Sequence, residues 1–81
     1  MTHQFQPPVQ ICLNRINDKE ISTVLLPRFD NEVKVWETCV FYAKSSDVVA
    51  RYITEADAIE GHNTLVLQEF KSTLVVDGAL V

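Results

Sequence analysis

Few residues in this chain combine a reactive type with a suggestive spacing, and Glu37 and His62 come first. Glu37 alternates with Val35, Cys39 and Phe41 along one strand-like segment. If that row is covered, the carboxylate needs a partner or it takes up a proton. His62 lies on a helix-spaced stripe with Ile59, Val66 and Phe70. A buried polar contact between Glu37 and His62 across a helix–sheet interface is therefore expected, with Arg51 or Tyr52 nearby. A structural hydrogen bond explains such a pair more readily than general acid–base catalysis, since no further catalytic group accompanies it.

The remaining chemistry is sparse. Cys12 and Cys39 sit in apolar, strand-like segments. They read as small buried hydrophobes rather than as a nucleophile or a disulfide. With His3 and His62 they lack paired metal-ligand spacing, so no metal is expected. No glycine-rich phosphate loop is present, and no cofactor is expected. Lys34, Trp36, Tyr42 and Lys44 form the other row of the Glu37 segment. Aromatics framed by cations suit a stacked nucleobase, but Trp and Tyr also dominate self-association interfaces. Arg51-Tyr52 has the chemistry to reach an anionic ligand. The binding candidates are thus Lys34, Trp36, Tyr42, Arg51 and Tyr52, and no catalytic residue is assigned.

These residues must be positioned by short elements. Residues 1–7 are polar and aperiodic, which predicts a loose arm. Val9, Ile11 and Leu13 alternate with Gln10, Cys12 and Asn14, the pattern of a half-buried strand. Asn17-Asp18 is a turn signal. Ile21–Leu26 is β-branched and alternating, and Pro27 marks its end. Asp30-Asn31-Glu32 is a second turn, and 33–44 is the longest strand candidate. Short connections make an antiparallel meander the simplest topology. Thr54 is a good N-cap with Glu55 and Asp57 in the first turn, so a helix is predicted over 54–71. Gly61 inside it suggests close approach to the sheet. The fold expected is α+β: a three-stranded antiparallel meander over 8–44, then one helix packed on one face. Residues 72–81 form a tail that reads as either an extra strand or a helix extension.

Composition bounds the rest. Eighty-one residues make one small domain. A net charge of −4 argues against duplex nucleic acid, which needs a basic footprint. No apolar run is long enough for a membrane span. Met1–Gln10 has neither the basic nor the apolar region of a secretory leader, so a reducing cytoplasm is expected. A domain this small needs a staple. An apolar fraction of 47% points to self-association, a homodimer through the outer sheet face or the tail.

A further observation concerns order. Ser22-Thr23-Val24, Trp36-Glu37-Thr38-Cys39-Val40-Phe41, Arg51-Tyr52-Ile53-Thr54 and Gly61-His62 follow one another in the chain. This order resembles a family of small uncharacterised proteins of tailed bacteriophages. Its pattern is S-T-V-x-L-G, F-E-T-M-x-F, R-Y-x-T-x-x-E-A and G-H, and the resemblance covers about residues 21–66. The chain departs from it at Pro27, where the family has Gly, and at Phe29-Asp30, where it has Asp-His. It departs again at Trp36 and Cys39, where the family has Phe and Met. The resemblance implies a phage genome and action in the host bacterial cytoplasm, but no mechanism. Three roles then remain: binding a host or phage protein in host takeover or counter-defence, oligomeric sequestration of a nucleotide signal, or an enzyme. The first fits best, because no catalytic motif supports the last.

Overall fold

The computed structural model describes residues 4–76, with side chains described through 72. The fold is α+β, a mostly antiparallel sheet with one helix. The strands are β1 (Phe5–Gln6), β2 (Val9–Ile16), β3 (Lys19–Leu25), β4 (Arg28–Phe29), β5 (Trp36–Phe41) and β6 (Ser46–Tyr52). The helix α1 spans Glu55–Val76. The main sheet has the order β2-β3-β5-β6, all antiparallel, and β1 and β4 pair separately.

The expected meander is present, but it has a fourth strand. Residues 46–52 pair with β5, a strand that the expected meander over 8–44 does not include. Part of the expected arm is also ordered: Phe5 pairs with Phe29, their rings edge to face at 5.3 Å. The Pro7-Pro8 break then separates β1 from β2. The third predicted strand, 33–44, shortens to Trp36–Phe41.

Local chemistry explains the punctuation. Asn17 turns the β2–β3 hairpin at φ 58°, a left-handed conformation Asn tolerates. Pro27 follows Leu26, whose N–H makes the last bond across to the Val35 carbonyl at 2.9 Å. Thr54 caps α1 by accepting from the Asp57 N–H at 3.2 Å. The helix continues to Val76, so residues 72–76 extend it; 77–81 lie outside the described residues. Among the described residues, no helix is long and apolar enough to cross a membrane.

The helix covers one face of the sheet. Its Ala58 and His62 are buried there against Ile21, Thr23, Trp36, Thr38 and Val40. The covered row of β5 is thus Trp36, Thr38 and Val40. The open row is Glu37, Cys39 and Phe41, the reverse of the sequence-based assignment.

Candidate functional site

The best-defined polar constellation is inside the molecule. Thr23 and Thr38 are cross-strand partners of β3 and β5, and their hydroxyls bond at 2.5 Å. Thr23 Oγ1 lies 2.8 Å from His62 Nδ1, and His62 Nε2 lies 2.8 Å from Asn14 Oδ1. Thr23, Thr38 and His62 are fully buried. Burial holds the imidazole below its ordinary pKa, so it is neutral at neutral pH. A neutral ring donates once and accepts once. The Asn14 carbonyl oxygen can only accept, so Nε2 carries the proton and Nδ1 accepts from Thr23. Thr38 then donates to Thr23. The chain runs in one direction, Thr38 to Thr23 to His62 to Asn14, and crosses from β5 through β3 and α1 to β2.

Glu37 and His62 do not meet. They lie on opposite faces of the sheet, because β5 alternates and its Thr38 row is the one that faces α1. Glu37 instead accepts from Arg51 Nε at 2.9 Å across the β5–β6 pair. The Cys39 thiol donates to its other carboxylate oxygen at 3.4 Å. Burial first, and then the hydrogen bond and charge of Glu37, push the Cys39 pKa up, which keeps the thiol protonated and unreactive. Both cysteines are free. Among the described residues the geometry supplies no carboxylate–imidazole pair for proton transfer.

The expected aromatic and basic surface is not assembled either. Trp36 is in the core at 7% exposure, and its indole N–H makes no hydrogen bond. Tyr42 lies beyond the far end of β5, roughly 20 Å along the strand by the usual rise per residue. There Lys19 Nζ sits 5.7 Å from its ring centroid. The Glu69 hydrogen bond raises the Lys19 pKa and holds the ammonium. Lys34 is in the connection before β5, and Lys44 is in the turn after it. Tyr52 is on the covered face, its ring packed against α1 at Gly61. Arg51 is on the open face. Of the five binding candidates, only Trp36 and Tyr52 come together, as cross-strand partners on the covered face, and the five form no common surface.

An open outer face was expected, but what the sequence did not single out is the set of residues that form it. Register places four residues in each of three rows across it. These are Arg15, Glu20, Phe41, Ser46; then Leu13, Ser22, Cys39, Val48; then Gln10, Val24, Glu37, Arg51. Leu13, Phe41 and Val48 remain 40%, 41% and 52% exposed on this face, Leu13 and Val48 on the edge strands and Phe41 at the end of β5. The ion pairs Arg15–Glu20 at 2.8 Å and Arg51–Glu37 at 2.9 Å close two diagonal corners. A half-turn about the sheet normal exchanges Arg15 with Arg51, Glu20 with Glu37, and Leu13 with Val48. It also exchanges Ser22 with Cys39, Val24 with Phe41, and Gln10 with Ser46. The face is neutral, so the −4 of the chain resides elsewhere.

Among the described residues, no group of three His, Cys, Asp or Glu side chains is placed to hold a metal ion. No family model, no curated protein and no solved structure matches the chain.

Proposed function

We propose that this is a small, non-enzymatic binding module of a tailed bacteriophage, acting in the host bacterial cytoplasm. It holds a host or phage protein against the open face of its sheet, in host takeover or counter-defence. One observation carries this reading: among the described residues α1 covers one side of the four-stranded sheet, and the other side leaves Leu13, Phe41 and Val48 exposed around ion-paired corners. Exposed apolar side chains set among polar groups and paired charges are what a protein-binding surface presents. Phe41 is the natural anchor, the largest apolar side chain of the face, taking the role the sequence suggested for Trp36.

The test compares wild type with Phe41→Glu. Each is immobilised and exposed to host lysate, and captured proteins are identified by mass spectrometry. A dominant protein retained by wild type and lost by Phe41→Glu, while the variant still unfolds cooperatively, supports the reading. A photo-crosslinker placed at Leu13 should join the same protein. Equal capture by the variant removes the open face as the docking surface.

A second reading, sequestration of a nucleotide signal, has one observation in its favour. A groove of about 460 Å³ at the β2–β3 hairpin is lined by Phe41, Tyr42, Arg15 and Lys19, among others. Both cations are already paired, with Glu20 and Glu69, so a phosphate must displace a carboxylate to enter. A thermal shift across mononucleotides and cyclic dinucleotides tests this reading.

A further inference from the structure

A second site lies at the sheet's edge, apart from the open face. β6 ends the strand order β2-β3-β5-β6, and among the described residues no backbone bond leaves its outer edge. Such an edge is a template for one more strand. Its register with β5 slips between Thr38 and Cys39: Thr38 faces Ala50 and Cys39 faces Val48, which leaves Val49 as a bulge residue. Bulges re-aim a side chain. Val49 here joins Ala50 and Tyr52 as one wall of an open groove of about 490 Å³. The other wall is a single helical stripe, Asp57, Glu60, Gly61, Thr64 and Leu65. Gly61 has no side chain, so the Tyr52 ring lies against the helix backbone and forms the floor. The wall carries two carboxylates, and no basic side chain lines the groove.

We infer that the β6 edge and this groove together bind an extended, basic peptide segment by strand addition. The peptide backbone pairs with the free edge of β6. Alternate side chains then point into the groove, since successive residues of a strand face opposite sides. A Lys or Arg there lays its methylenes along Val49 and the Tyr52 ring and brings its charge to Asp57 and Glu60. The apolar lining takes the stem and the acidic wall takes the head. This selects basic over acidic peptides in a chain whose net charge of −4 already draws cations.

The test uses the full ¹⁵N-labelled chain and two blocked heptapeptides, one alternating Lys with Val and one alternating Glu with Val. The lysine peptide is expected to shift the backbone amides of Val48, Val49 and Ala50. It should bind about tenfold more tightly than the glutamate peptide, the scale of two exposed ion pairs. Asp57→Asn combined with Glu60→Gln alters only exposed side chains and should erase that preference. Methylating alternate amide nitrogens of the peptide should abolish binding without any change to the protein. Phe41→Glu on the open face should leave the peptide affinity unaltered, so this proposal can stand or fall apart from the proposed function. Binding that survives N-methylation, binding lost in Phe41→Glu, or no amide shift at millimolar peptide would each overturn it.

Discussion

At the scale of single residues, the buried chain Thr38–Thr23–His62–Asn14 makes the sharpest demands. Thr23 both donates to His62 and accepts from Thr38, whereas Thr38 only donates within the chain. Thr23→Val therefore strands two buried polar groups, and Thr38→Val strands none in the chain. Urea denaturation should find Thr23→Val destabilised by about 1–3 kcal/mol and Thr38→Val by clearly less. Equal losses would mean the chain does not run in the stated direction. His62 adds a pH dependence. Its folded pKa is lowered from the ordinary 6.5 by burial. As pH falls below 6.5 the unfolded chain binds the proton and the folded one does not. Stability contributed by the neutral imidazole is thus complete above 6.5 and declines through the window below it, until the folded pKa is passed. Denaturation at pH 7.5 and 5.5 should show this decline in wild type, and His62→Gln should lose part of it.

At the scale of elements, Gly61 decides how α1 meets β6. A Cβ there falls on the Tyr52 ring, so Gly61→Ala must push the ring aside. Alanine improves the helix by about 1 kcal/mol, while displaced packing costs about 1–3 kcal/mol. The single change should therefore be neutral to destabilising. In a Tyr52→Ala background the clash is gone, and Gly61→Ala should stabilise by about 1 kcal/mol; thermal melts of the four variants complete the cycle. The close approach of Gly61 and the Thr54 cap were legible in the sequence, because a helical glycine and an N-cap each have one dominant structural use. The strand β6 was not legible, since the Val49 bulge breaks the alternation that announces a strand. Missing β6 hid the partner of Glu37. Arg51 was expected only as a neighbour; with no strand to set it beside Glu37, the carboxylate was assigned to the helix, and the two faces of β5 were exchanged. Alternation separates Trp36, Thr38 and Val40 from Glu37, Cys39 and Phe41, but both rows hold apolar groups, so it cannot say which row is covered.

At the scale of the whole molecule, one helix serves a sheet with two faces. The buried apolar side chains among the described residues are Ile21, Trp36, Val40 and Ala58, a small core. Covering the open face would add Leu13, Phe41 and Val48 to it. Left uncovered, that neutral face is the surface on which two copies of an acidic chain meet with least repulsion. A dimer through it should appear in sedimentation equilibrium, with a melting temperature that rises with protein concentration. Phe41→Glu should give a monomer whose melting temperature is independent of concentration. A dimer that persists in Phe41→Glu would place self-association elsewhere, such as the tail, of which residues 77–81 lie outside the described residues.

The half-turn pattern of the open face has one more consequence. A surface that repeats its chemistry after 180° offers a visiting strand or helix nearly the same reception whichever way it runs. Direction must then be read from the positions where the repeat is imperfect, above all the larger Phe41 against the smaller Val24. A substitution that equalises these two would leave a partner able to sit both ways round, and the complex would become a mixture of two poses.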